Sequence, residues 1–194
     1  MRRVGNDVVD LEDPAIAQTH LRERFVARVC SESERALLAR SAAPKVLLWS
    51  LFAAKEAAFK ALSKSGPLVF AHRRFVVSAD LRSVSYDKQV LWARVDLDGP
   101  CLHAIAWTDD EMPVSGVEQI SPGVDASAAA RALLVRSLGG GGLTVERAPL
   151  PGSWNGYGPP KLFRDGLEVS LDISLSHDGR FVGFAADSSG AEKR

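Results

Sequence analysis

The residues best suited to do chemistry lie in one run, Trp49-Ser50-Leu51-Phe52-Ala53-Ala54-Lys55-Glu56-Ala57-Ala58-Phe59-Lys60-Ala61-Leu62. At about 100° per residue, Leu48, Leu51, Phe59 and Leu62 fall within about 40° of Lys55, so a lysine occupies the middle of an apolar helical stripe. A buried ammonium is costly unless an anion meets it. Glu56 stands at the edge of the same stripe and Lys60 one turn beyond it, which places two ammonium groups around one carboxylate. Such a cluster suits a divalent cation and a phosphate. The alternative is that Lys55 snorkels to solvent and Glu56 with Lys60 forms an ordinary helix ion pair. Asp7 is the second carboxylate of interest, because magnesium takes oxygen ligands, often one or two protein carboxylates completed by phosphate oxygens and water. Its competing role is to close a turn after a strand.

His177 precedes a turn opposite Arg180, so both side chains can lean toward an anion at a sheet end. Ser176-His177-Asp178 is no nucleophilic triad, since neighbours on a strand point in different directions. Gly139 to Gly142 lack the lysine and hydroxyl residue of a phosphate-cradling loop and read as a helix stop. His20, His72 and His103 have no zinc-ligand spacing.

The elements that must position these groups follow from pattern. Val4 to Leu11 reads as a short buried strand closed by Asp13-Pro14, which puts Asp7 on a strand. Ser31 and Glu34 have capping-box spacing for a short helix, and Pro44 opens a long helix to about Leu62, ended by Gly66-Pro67. Phe70 to Ala79, Val90 to Leu97 and Leu102 to Trp107 read as strands, with a turn at Asp98-Gly99-Pro100. Met112 to Asp125, rich in proline, glycine and serine, reads as a connector. A second helix covers Ala126 to Leu138, Leu143 to Arg147 a strand, and Leu150 to Pro160 an exposed loop. Val169, Leu171, Ile173 and Leu175 share one strand face and Ser170, Asp172, Ser174 and Ser176 the other, before an Asp178-Gly179 hairpin into Phe181 to Ala186. The tail from Asp187 to Arg194 reads as frayed. Each half runs helix, then antiparallel strands with an Asp-Gly turn, a weak internal repeat.

With 194 residues, 46% of them hydrophobic, the chain can bury one sizeable core or two small ones. Its 24 basic and 24 acidic side chains cancel, which argues against nucleic-acid or membrane binding by bulk charge. Arg22, Arg24, Arg28, Arg35 and Arg40 crowd one region, either a docking face for an acidic partner or a solvated helix face. Cys30 and Cys101 have no disulfide or metal spacing, and acidic residues interrupt the N-terminus before a signal-length apolar run builds; a reduced, cytoplasmic setting is expected.

Gly5-Asn6-Asp7, Trp49 through Lys60, and Ile173-Ser174-Leu175-Ser176-His177 together resemble the 4'-phosphopantetheinyl transferase superfamily, whose signature joins an aromatic residue to Lys-Glu-Ala and a further lysine. The resemblance implies an α+β fold of two similar lobes, 1–112 and 113–194, each a long helix on a small antiparallel sheet, with one active site between them in a monomer. It implies transfer of the 4'-phosphopantetheine arm of coenzyme A to a serine of an apo acyl or peptidyl carrier protein with Mg2+, or, alternatively, a degenerate member that binds coenzyme A or a carrier without transfer. The order, Gly-x-Asp first and Ser-x-Ser-His near the end, is like that of the small holo-acyl-carrier-protein synthases. By the resemblance Asp7 and Glu56 hold the metal, Glu56 or a metal-bound water is the base, Lys60 and Lys55 are catalytic candidates, and Lys60, His177, Ser176, Arg131, Arg136 and Lys161 contact the coenzyme. Two departures stand out: Val9 replaces a second acidic ligand, and the Gly-Lys-Pro element reads Gly158-Pro159-Pro160-Lys161.

Overall fold

The computed structural model describes residues 2–66, 68–151 and 156–188. Met1, Pro67, residues 152–155 within the expected loop, and the tail beyond Ser188 lie outside them. Strand β1 (Val4–Asp10) is followed by two short helices, α1 (Glu23–Val29) and α2 (Glu32–Leu38), and by the long α3 (Pro44–Ser63). Four strands come next: β2 (Phe75–Val77), β3 (Ser83–Tyr86), β4 (Gln89–Asp98) and β5 (Cys101–Trp107). The second half holds β6 (Val114–Gln119), α4 (Ala126–Ser137), β7 (Leu143–Glu146), β8 (Lys161–Arg164), β9 (Leu167–Val169), β10 (Ile173–Asp178) and β11 (Phe181–Ala186).

The strands form three antiparallel sheets, ordered β1-β5-β4-β3-β2, β10-β11-β6 and β7-β8-β9. In the first sheet the strand before the long helix pairs with the last strand of its half, β1 with β5. The second sheet repeats this, β6 pairing with β11 around α4. The molecule is α+β, with a helix laid on an antiparallel sheet twice. Leu48, Leu51, Phe75, Leu91 and Leu102 are fully buried between α3 and the first sheet, and Leu134 of α4 meets Ile173 and Phe184 of the second. Among the described residues no helix is long and apolar enough to cross a membrane.

Local chemistry explains the helix boundaries. Ser31 Oγ accepts from the Glu34 amide while the Glu34 carboxylate accepts from the Ser31 amide, the reciprocal capping box that starts α2. Pro44 opens α3, and Asp125 caps α4 through the Ala128 amide. Three expectations change. Residues 112–125 contain strand β6, and the glycine that made them look like a connector is a packing requirement: a Cβ at Gly116 would stand 2.9 Å from the ring of Phe184. The stretch from Phe70 begins with a short 3-10 turn, His72–Arg74, before the three residues of β2. Helix α1 and strand β3 carried no pattern strong enough to be read.

Gly5 shows why the Gly-x-Asp motif opens with glycine. A Cβ there would lie 1.9 Å from the carbonyl oxygen of Ala57, so β1 and the alanine-rich face of α3 approach with no room between them. Strand β1 is also the edge of its sheet, and edge strands present unpaired backbone groups. Here side chains satisfy them. The amides of Val4, Asn6 and Asp10 donate to Asp172 Oδ2 (2.7 Å), Ser174 Oγ (3.0 Å) and Asp178 Oδ2 (2.8 Å), while the carbonyls of Val4 and Asn6 accept from Lys64 (2.6 Å) and Lys60 (3.1 Å). The polar alternation of β10 and the preceding loop is therefore a side-chain ladder that fastens the second sheet to β1.

Candidate active site

Glu56 and Lys60 on α3 and its C-terminal cap Lys64 follow at four-residue intervals, a single stripe that runs along the free edge of β1. Asp7 shares the strand face of Gly5, the one pressed to α3. Lys60 Nζ lies 2.7 Å from Asp7 Oδ1, so the helix pair expected between Glu56 and Lys60 is replaced by a bond from Lys60 to the strand. Lys64, almost fully buried, donates to Asp172 Oδ2 (2.8 Å), the Ile173 carbonyl (2.7 Å) and the Val4 carbonyl, using its three N–H groups to join helix, edge strand and second sheet. Glu56 Oε1 faces His72 Nε2 at 3.7 Å.

Negative charge is incompletely matched around Asp7 and Glu56. Burial pushes the Asp7 carboxyl up, and Lys60 pulls it back. Burial pushes Glu56 up to about 7, the negative charge of Asp7 adds to the rise, and Lys60 opposes it. Two carboxylates are thus close enough to repel each other and share one ammonium. Among the described residues no cluster of three or more His, Cys, Asp or Glu side chains could hold a metal. The donor set therefore stops at two hard oxygen ligands, which fits magnesium completed by water and phosphate oxygens and does not fit a closed protein cage.

Lys55 lies elsewhere. It is fully buried, with Nζ 2.6 Å from Glu34 Oε2 and 2.7 Å from the Val29 carbonyl. Glu34 Oε1 in turn accepts from the Val77 amide at 2.8 Å, so the lysine that looked misplaced ties α1, α2, α3 and β2 together. Burial lowers its pKa against the pull of Glu34. Its hydrogen-bond partners are Glu34 and the Val29 carbonyl, not Asp7 or Glu56. Snorkelling to solvent is excluded by its burial.

The remaining expected site residues are dispersed. Ser176 Oγ accepts from Asn6 Nδ2 at 2.7 Å, a bond across the two sheets that also positions Asn6 Nδ2 3.3 Å from His103 Nε2. Burial holds His103 neutral, its pKa down to about 4, which leaves that nitrogen free to accept. His177 is exposed and alternates with Ser176, on the strand face of Ile173 and Leu175, whose side chains join the α4 cluster. Arg136 pairs with Glu118, and Lys161 pairs with Glu168 at 2.9 Å; both are exposed. Arg131, on α4, lies near enough to Arg147 to lower its pKa. The structure thus brings Asp7, Glu56 and Lys60 together and leaves Arg131, Arg136 and Lys161 on the second half's surface.

Several groups near the site escaped the sequence reading. Asp178, in the hairpin turn, is raised by burial and by the charges of Asp7, Asp13 and Asp10, which brings the turn after His177 within electrostatic reach of Asp7. Arg180 finds its anion in the protein itself: Nε and Nη2 each sit 2.7 Å from the Asp10 carboxylate, and Nη2 reaches Glu12 at 2.8 Å. Gly179 (φ +50°) turns the chain there, where a Cβ would press on the Asp10 carboxylate. The four-residue spacing from Glu56 to Lys64 was a visible signal for Lys64; the rest depend on tertiary placement. Cys30 and Cys101 are buried, and burial pushes both thiols up to about 11.

Residues 3–89 match the family model of the 4'-phosphopantetheinyl transferase superfamily. The match covers the N-terminal part of the chain, which is similar to sequences of this superfamily. The matched stretch includes Asp7, Glu56 and Lys60, so the one cluster assembled by the fold lies within it. The chain is also similar to the crystal structure of Thermotoga maritima holo-[acyl-carrier-protein] synthase, at 18% identity and a TM-score of 0.41, over 87% of this chain and 86% of that one. No curated protein matches the chain.

Proposed function

We propose that the protein transfers the 4'-phosphopantetheine arm of coenzyme A to a serine of an apo acyl or peptidyl carrier protein, with release of 3',5'-ADP. The observation that supports it is the convergence of Asp7, Glu56 and Lys60 from β1 and α3, within the superfamily-matched stretch, into a site whose carboxylates lack a full complement of positive charge. Asp7 and Glu56 would hold Mg2+, which supplies charge neutralisation for the coenzyme's pyrophosphate. Glu56 accepts the proton of the carrier serine as its oxygen attacks the β-phosphorus; the bond to the 3',5'-ADP oxygen breaks, and Lys60 offsets charge on the departing phosphate.

The two halves, 1–112 and 113–194, form the lobes of this site in a monomer, with the hairpin of His177 and Asp178 bringing the second half to Asp7. His177, exposed but on the α4 face of β10, and Arg131 on α4 are the second half's candidates for the coenzyme phosphates, which would have to reach round to that face. Ser176, Arg136 and Lys161 are already engaged with Asn6, Glu118 and Glu168, so their contribution requires those contacts to open. For the carrier, Arg22, Arg24 and Arg28 line, with Glu23 and Phe25, a surface cleft of about 640 Å³. Phe25 stacks on Phe52, which packs on His72, so this mainly basic cleft borders the Glu56 end of the site and suits an acidic helix.

Intact-protein mass spectrometry of apo carrier proteins incubated with the chain, coenzyme A and Mg2+ tests the reading. A mass gain of about one phosphopantetheine per carrier is expected, absent without Mg2+ and lost in Glu56→Ala. Binding of coenzyme A with no mass gain on any carrier would favour the non-transferring alternative.

A further inference from the structure

His72 is a half-buried side chain whose Nε2 has no hydrogen-bond partner in the fold. Its Nε2 is shielded from solvent and bonded to nothing, 3.7 Å from Glu56 Oε1. Buried polar atoms are ordinarily satisfied, so such an orphan needs a reason. The ring is held by aromatic packing: its centroid lies 5.0 Å from that of Phe52 and 4.1 Å from that of Phe70. Phe52 is itself fixed against Trp49 at 5.1 Å and precedes Glu56 by one helical turn, so one stripe of α3 carries both the clamp and the carboxylate. Lys60, the other group within a turn of Glu56, is taken by Asp7 and the Asn6 carbonyl. Among the described residues, His72 is then the polar side chain within ion-pair reach of Glu56.

We propose that His72 is a positioning residue for Glu56: Nε2 closes onto Oε1 when the site is loaded, turning the other carboxylate oxygen toward the cation shared with Asp7. The gap is under 1 Å longer than a hydrogen bond, a distance a side-chain rotation covers. Carboxylate ligands are commonly oriented in this way by an outer partner, and loss of that partner lowers metal affinity about 10–100-fold. The inference rests on the cation site proposed above.

Two variants separate this role from packing. His72→Phe keeps a ring between Phe52 and Phe70 and removes both nitrogens; His72→Gln restores a polar group of similar reach. The probe is Mn2+, titrated by calorimetry into each protein with coenzyme A present, with thermal unfolding as the check on folding. His72→Phe should bind Mn2+ at least tenfold more weakly than wild type at an unfolding temperature within a few degrees of it, and His72→Gln should recover most of the affinity. Wild-type affinity in His72→Phe would overturn the role of His72 alone. Equal loss in both variants would do the same by assigning the effect to ring packing. Failure of the wild type to bind Mn2+ would remove the cation site and this role with it.

Discussion

Lys55 and Lys60 stand five residues apart on one helix and sit in opposite electrostatic settings. Lys55 meets Glu34 with both groups fully buried, and Glu34 has its other oxygen on the Val77 amide, so the polar groups are matched within the protein. Lys60 meets Asp7 with both side chains partly exposed, beside a second carboxylate, Glu56, left facing only a histidine at long range. The first arrangement is a closed structural joint, and the second is short of positive charge. A buried lysine in an apolar stripe is therefore not by itself a sign of a ligand; what distinguishes the site is the carboxylate left without a partner.

Breaking the joint should have the largest effect on stability. Lys55→Met leaves the Glu34 carboxylate buried without its cation, a change that costs about 3–5 kcal/mol. Urea denaturation should show that loss. A change below about 1 kcal/mol would mean that Glu34 is readily protonated or hydrated, and the contrast between the two lysines would disappear.

The site should respond in the other direction. With no divalent cation present, Glu56→Gln is expected to stabilise the protein at pH 8.5 by on the order of 2–3 kcal/mol, because ionising Glu56 in the fold is unfavourable. The sign follows from the raised value: a folded-state pKa of about 7 above an ordinary 4.5 favours the fold below 4.5, and that contribution is lost as pH rises through 7. The gain from the substitution should therefore shrink toward zero as pH falls to 4. A pH-independent effect, or destabilisation at pH 8.5, would show that Glu56 is not held in a strained charge state.

Much of this site was legible because it depends on local spacing. The aromatic-Lys-Glu-Ala-Lys run placed Glu56 and Lys60 on one helix, and the glycine two residues before Asp7 is dictated by the contact of β1 with Ala57. The capping box of α2 and the alternation of β10 were likewise visible. What the alternation was for was not: Asp172, Ser174 and Asp178 serve the open edge of β1, a relation across more than 160 residues. Lys55 was misread for the same reason, since Glu34 was recognised as a cap and nothing local showed that its carboxylate also faces α3. His72 was dismissed for lacking ligand spacing, although the loop after α3 folds it back over Phe52 to Glu56. Strand β6 was hidden by glycine and serine, and Gly116 is required where the strand crosses the Phe184 ring.

The central claim is that Asp7 and Glu56 share a cation, and it is tested most directly by calorimetric titration of Mg2+ into the protein with coenzyme A present, for wild type, Asp7→Asn and Glu56→Gln at pH 8. Wild type should bind about one Mg2+, and each variant should bind it roughly 10–100-fold more weakly or not at all. Undiminished binding by both variants, or none by the wild type, would contradict it.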